Sequence, residues 1–185
     1  MHFSVPILAT LTMSAGIVSA INLPSTACLK IPLVIQGIDS ARLIDQAQQE
    51  VCSKGCQLRM SEYETNLRGF AISVIEAESI NMGTPQLNPQ YINLLDSMFH
   101  LAEGECGAGE LGDANLCALD VAKAKSIAQC VKANTWRVML DNALSLWPAL
   151  TTNCQKQYDF FSSPDLWEEK APAYLREFAE NCERS

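Results

Sequence analysis

Eight cysteines constrain this chain more than any other feature of its 185 residues. An even number of cysteines is typical of a disulfide framework in a protein that enters an oxidising compartment. A zinc site needs a second close cysteine pair or histidines, but only Cys52 and Cys56 are close and His100 is the only histidine after residue 20. A redox pair usually has two intervening residues, and these cysteines have three. We therefore predict four disulfides and no metal or cofactor. The disulfide cysteines are Cys28, Cys52, Cys56, Cys106, Cys117, Cys130, Cys154 and Cys182.

The first twenty residues have the pattern of a secretory signal peptide. They are apolar or small almost throughout, and Val18-Ser19-Ala20 places small residues where a signal peptidase cleaves. A membrane anchor is the alternative, but the run is short for a bilayer span and no later stretch is long and apolar enough. We therefore predict cleavage after Ala20, secretion, no membrane span, and one disulfide-rich domain over residues 21–185.

The charge of the chain argues against nucleic-acid binding. The formal net charge is −8, and the 13 Lys and Arg are scattered rather than gathered in a basic stripe. Such a surface repels phosphate groups. We expect a partner of another kind.

The first clear helical pattern covers residues 40–54. Asp39 or Ser40 caps its start, and Leu43 and Val51 belong to one apolar stripe. Gly55 is expected to end or bend this helix.

Further helical patterns follow to the end of the chain. Ser61 and Glu64 have the spacing of a capping box before a helix over 61–83, and Pro89 suits the first position of the next helix. A glycine-rich loop over 104–117 precedes a helix that we expect Asp113 to cap. One strand-like run, IPLVIQ at 31–36, is weakened by Pro32. We predict an all-α fold: one compact domain of six or seven short helices cross-linked by four disulfides.

Helix geometry restricts the disulfide pairing without fixing it. Cys52 and Cys56 lie about one turn apart, so each is expected to reach a different segment. Cys117 and Cys130 would be roughly 20 Å apart along one helix, beyond disulfide reach. Cys154 could pair with Cys182 to hold the C-terminal helix.

The sequence contains no recognisable catalytic signature. His100 is the only candidate base for a Ser–His or Cys–His mechanism, and helical spacing places it on a solvent-facing side. Carboxylates between 103 and 113 and at Glu168 and Glu169 could in principle hydrolyse a glycan, although a solvated acidic surface explains them as well. We predict a protein that is not an enzyme.

Five large apolar side chains could line a pocket between helices, where small ligands often bind. The simpler alternative is that they fill the core. These candidate pocket residues are Phe70, Met98, Trp136, Met139 and Trp147.

Two resemblances bear on function. The short leader after "MHFS", the eight cysteines and the modest size resemble small secreted cysteine-rich proteins of filamentous fungi, many of which act as effectors on a host. The first six cysteines partly resemble those of insect odorant-binding proteins, which carry apolar ligands: Cys52-x-x-x-Cys56 matches, whereas the gap between Cys117 and Cys130 is longer than usual. That resemblance implies the pairs 28–56, 52–117 and 106–130, with 154–182 added.

The sequence as a whole favours a non-enzymatic secreted protein that acts by binding. We expect an effector-like protein that interacts with an unidentified protein of a host or neighbouring organism. The alternatives are a carrier of a small apolar ligand and, third, a carboxylate-dependent glycan hydrolase.

Overall fold

The computed structural model describes residues 25–182, so the predicted signal peptide lies outside the described residues. The described part folds into eight α-helices joined by short 3-10 and π-helical turns, and it contains no β-strand. This confirms the all-α prediction, with one short helix more than the expected six or seven. The helices are α1 Thr26–Gly37, α2 Ser40–Glu50, α3 Arg68–Asn81, α4 Asn88–Gly104, α5 Val121–Asp141, α6 Ala143–Leu146, α7 Cys154–Ser162 and α8 Ala171–Asn181.

The strand-like run at 31–36 lies inside α1, so the strand-like pattern of these residues does not correspond to a strand. The Ser25 hydroxyl accepts a hydrogen bond from the Cys28 backbone N–H and caps the helix. Proline inside a helix removes one backbone hydrogen bond. Here Pro32 is buried together with Ile31, and α1 packs along α7. Tertiary packing therefore outweighs the local preference.

Several helix ends are where the residue types predict them. The Asp39 carboxylate accepts hydrogen bonds from the backbone N–H groups of Ala41 and Arg42, which caps α2. Gly55 ends the 3-10 turn Cys52–Lys54, and its φ of +84° favours glycine. The α-helix itself ends earlier than predicted, at Glu50.

Two predicted helix starts are wrong. Ser61 lies in a 3-10 turn, Met60–Glu62, and Glu64 lies in a π-helical turn, Tyr63–Leu67, so α3 begins only at Arg68. Asp120 rather than Asp113 caps α5, because its carboxylate accepts from the Ala122 N–H. The intervening residues form further turns, including Leu116–Ala118.

Four disulfides cross-link the helices, as predicted, and two of the implied pairings are correct. Cys52–Cys117 and Cys106–Cys130 are present. The implied pairs 28–56 and 154–182 are wrong, because the structure joins Cys28 to Cys154 and Cys56 to Cys182. The packing of α1 on α7, and of α8 beside α2, brings these partners together instead.

The core lies in separate apolar clusters around the disulfides. Cys28, Cys154 and Ala27 form one cluster, with Tyr158 packed against it. Val51, Cys56 and Ala179 form another under α8. The disulfides Cys28–Cys154 and Cys56–Cys182 therefore belong to the core as well as cross-linking it.

Candidate functional site

An apolar cleft of about 170 Å³ opens between α1 and α5. α1 contributes Leu29, Ile31 and Ile35 to one wall. α5 contributes Trp136, Met139 and Leu140 to the other. Leu94, Leu146, Leu150 and Phe161 are among the residues that lie between these walls.

The rim of this cleft exposes large apolar side chains to solvent. Leu29 and Leu33, one turn apart on α1, are each 64% exposed. Trp136 and Leu140, one turn apart on α5, are 47% and 56% exposed. Leu144, which follows the cleft residue Ala143, is 94% exposed. We call these five side chains the apolar face. Of the five, Leu29, Trp136 and Leu140 line the cleft, and Leu33 follows the lining residue Pro32. Exposed apolar side chains grouped at a cleft often mark an interaction site.

The helices expose these side chains because the opposite sides of α1 and α5 are already occupied. Cys28 and Ile31 face inward on α1, where Cys28 is bonded to α7. Thr135 and Val138 face inward on α5. Because only one side of each helix packs against the rest of the protein, side chains on the other side point to solvent.

The polar groups in the cleft are bonded to the protein itself. Gln157 is 2% exposed, and its Nε2 donates to the carbonyl oxygens of Ala149 and Thr152 at 2.8 and 2.6 Å. The Tyr91 hydroxyl lies 3.3 Å from the Thr84 hydroxyl. Burial raises the pKa of Tyr91, so the phenol stays neutral at physiological pH. The cleft is therefore suited to binding apolar groups.

A second apolar cavity, of about 210 Å³, lies between α2, α4 and α5. Its larger lining residues include Ile44, Leu58, Met60, Leu111, Leu116 and Ile127. Alanines face each other across it at Ala47, Ala102, Ala108, Ala124 and Ala128. Small side chains on facing helices leave this volume unfilled. Alanines that recur at helical spacing were the feature of the sequence that could have predicted this cavity.

The structure divides the five predicted pocket residues among several places. Trp136 and Met139 line the α1–α5 cleft. Phe70 lines a different groove and contacts Phe178, with ring centroids 5.1 Å apart. Met98 is half-buried on α4, and Trp147 is 44% exposed at the end of α6. These five residues thus do not form one wall.

Two of the carboxylates considered for hydrolysis form ion pairs with different helices. Glu105 pairs with Arg137 of α5, and Glu168 pairs with Arg42 of α2 at 3.1 Å. The His100 side chain is 70% exposed, which agrees with its predicted outward position, and lies 3.8 Å from Glu103. No observation in this part of the molecule favours a pair of catalytic acids.

Sequence reasoning missed the buried carboxylate of Glu78, which is 5% exposed. Lys170 donates to both of its oxygens at 3.0 Å, and the Tyr174 hydroxyl and Asn81 amide also donate to it. Burial by itself would raise the pKa of Glu78, but these hydrogen bonds outweigh it and lower the pKa. Its partners occupy its oxygens, so we assign Glu78 a structural role joining α3 to α8.

Comparison with known proteins leaves the apolar face as the main guide to function. No protein-family model, curated protein or solved structure matches the chain. Within residues 25–182, no helix is both long and apolar enough to cross a bilayer. In the same range no cluster of three or more metal-ligating side chains is present. The four disulfides fit an extracellular location.

Proposed function

We propose that this protein is a secreted, non-enzymatic effector-like protein that binds a protein of a host or neighbouring organism through its apolar face. The observation that carries this proposal is the exposure of Leu29, Trp136 and Leu140 along an apolar cleft, with the 94% exposed Leu144 next in the chain to the cleft residue Ala143. Burying such side chains against a partner is favourable by roughly 25 cal/mol per Å² of apolar area.

The disulfide framework supports this function by keeping the binding surface in place outside the cell. Cys28–Cys154 fixes α1, which carries two of the five face residues, to α7. A preorganised surface loses less conformational entropy on binding. Disulfides also persist in the oxidising environment that secretion implies.

Site-specific photo-cross-linking tests the proposal. A benzophenone amino acid replaces Leu144 in one variant and Ile80 in another, since Ile80 is also exposed, at 67%, but lies on α3. Each variant is irradiated with extracellular fluid from the organisms that the protein contacts. We expect discrete adducts from position 144 that excess wild-type protein suppresses, whereas excess Leu140→Ser protein does not. Equal labelling from both positions, or none from either, would contradict the proposal.

A carrier of a small apolar ligand is a second candidate, favoured by the alanine-lined cavity of about 210 Å³. A cavity of about 150 Å³ is large enough for a benzene-sized molecule. Native mass spectrometry of the secreted protein tests this function. A mass above that of the oxidised chain that disappears on denaturation would support the carrier, and the bare mass would count against it.

A further inference from the structure

The two helices that form the apolar face carry charge opposite to that of the whole chain. Lysine and arginine total 13 and acidic residues 21. Of these, α1 and α5 hold five basic residues and one acidic residue, Asp141. The five basic residues are Lys30, Lys123, Lys125, Lys132 and Arg137.

Two of these cations lie beside the apolar face without a carboxylate partner within 4 Å in the described part of the chain. Lys132 precedes Trp136 by one turn, on the same side of α5. Lys30 follows Leu29 on α1, where its Nζ lies 5.9 Å from the ring centroid of Tyr158. By contrast, Lys125 pairs with Asp45, and Arg137 pairs with Glu105.

The acidic groups on the elements around these cations are engaged or turned away. On α7, Asp159 follows Tyr158, and its carboxylate accepts a hydrogen bond from the Gln155 side-chain amide. Asp39 borders a shallow groove together with Lys132, but its carboxylate is engaged at the start of α2. Asp141 lies about 140° around α5 from Trp136 by the helical period. The potential beside the face is therefore expected to be positive, although the protein as a whole is acidic.

The shape of the cleft fits one large side chain of a partner. Its volume of about 170 Å³ compares with the cavity of about 150 Å³ that accepts benzene. A groove between two helices, with one recess and an apolar rim, is the geometry that receives an amphipathic helix. Such a helix inserts an anchor residue and lays its apolar stripe along the rim.

We propose that the partner presents an amphipathic helix with acidic flanks, whose aromatic or leucine anchor enters the α1–α5 cleft while Lys30 and Lys132 face its carboxylates. This inference rests on the proposed function and specifies its partner. A second copy of this chain fits less well, because a two-fold contact would oppose the same lysines. A flat lipid surface fits less well because it would leave the recess unfilled.

Binding of two designed peptides tests this inference. Both are helical peptides of about four turns with one phenylalanine and three leucines on one stripe. The remaining positions are rich in glutamate in one peptide and in lysine in the other, and a hydrocarbon staple equalises their helicity. Isothermal titration calorimetry at low salt is expected to show the glutamate peptide binding at least about tenfold tighter. The difference should nearly vanish at about 1 M salt, where the screening length falls to about 3 Å.

Matched variants locate the effect on the protein. Leu140→Ser is expected to weaken both peptides, because it removes part of the apolar rim. The double variant Lys30→Glu, Lys132→Glu is expected to reverse the preference between the peptides. Lys123→Glu is the control, since Lys123 is exposed on α5 but lies about 140° around the helix from Trp136. Circular dichroism establishes that each variant is folded.

The possible failures are distinguishable. Equal binding of the two peptides, or an equal effect of Lys123→Glu, would overturn the acidic-helix inference. So would tighter binding to phosphatidylserine vesicles than to either peptide, or a dimer in sedimentation velocity that Leu144→Ser abolishes. If neither peptide binds but cross-linking at position 144 persists, this inference fails and the proposed function stands. If both fail, both are wrong.

Discussion

The neighbouring helices α1 and α2 are held to the rest of the molecule in different ways. α1 buries four residues and is bonded to α7 by Cys28–Cys154, yet it exposes two leucines. α2 has no fully buried residue; it lines the second apolar cavity with Ile44 and Ala47, and polar contacts join it to its neighbours. Those contacts are Arg42–Glu168 at 3.1 Å, Asp45–Lys125 at 2.7 Å, Glu50–Arg176 at 3.1 Å and Gln46 to the Trp167 carbonyl at 3.1 Å.

This difference separates a structural side of the molecule from a binding side. The polar side chains of α2 reach α5, α8 and the turn before α8, so its surface contributes to the fold. The exposed leucines of α1 have no comparable partner in the described chain, so they are available to an external one. The predictions below test whether the two sides differ in this way.

The largest expected effect comes from removing disulfides of equal loop length. Cys28–Cys154 and Cys56–Cys182 both span 126 residues. Chain entropy alone therefore predicts an equal loss for each double Cys→Ala variant, of about 5 kcal/mol in the free energy of unfolding. Urea unfolding measures this loss. Similar losses in the two variants would show that each disulfide stabilises the protein mainly by closing its loop in the unfolded chain.

Hydrogen exchange without denaturant then distinguishes the two sides. Without Cys28–Cys154, we expect α1 to lose protection locally, because one disulfide and apolar packing hold it. Without Cys56–Cys182, we expect α8 to keep more protection, because Arg176 and Tyr174 still bind Glu50 and Glu78. Equal loss of protection in α1 and α8 would refute the comparison.

Glu78→Gln is expected to have the next largest effect, at the contact between α3 and α8. The amide keeps the shape of the side chain but removes the charge that Lys170 and Tyr174 bind. Hydrogen bonds to a charged group contribute about 1.5–3 kcal/mol, so we expect a loss of about 2 kcal/mol at pH 7. Glu76→Gln, exposed on the same helix, is the control and should change the free energy of unfolding by less than about 0.5 kcal/mol.

The effect of Glu78→Gln should depend on pH. The pKa of Glu78 in the folded protein lies below its ordinary value near 4.5. The carboxylate therefore contributes its full stability above about pH 4.5, and this contribution is lost as the pH falls through the folded pKa. Urea unfolding at pH 7 and pH 3 should show the gap between wild type and variant narrowing. A gap that stays constant would argue against a charge-dependent role.

Local signals in the sequence predict much of the fold. Asp39 caps α2 and Gly55 ends the 3-10 turn after it, since capping and left-handed turns depend on neighbouring residues. The run at 31–36 was misleading because an apolar segment has the same composition in a buried strand and in a buried helix. The cap at Asp120 was missed because acidic residues recur through the preceding loop.

Long-range packing explains what the sequence could not predict. Cys28 and Cys56 bond to Cys154 and Cys182 rather than to each other, because pairing depends on which helices pack together, and no local pattern encodes that. Trp136 and Met139 share a cleft, whereas Phe70 packs against Phe178. Apart from Trp136, the apolar face was missed for the same reason: a leucine stripe on α1 is identical in sequence whether it is covered or exposed.

The smallest expected effect on stability is the most informative for function. Leu33→Ala removes a side chain that is 64% exposed, so the free energy of unfolding should change by less than about 0.5 kcal/mol. Leu101→Ala is the matched control on α4, where the leucine is 4% exposed, and should cost about 3 kcal/mol. Urea unfolding compares the two. If Leu33→Ala also weakens the glutamate peptide, Leu33 serves binding rather than folding. A large loss of stability at Leu33 would instead make α1 a structural helix like α2 and remove the distinction between the two sides.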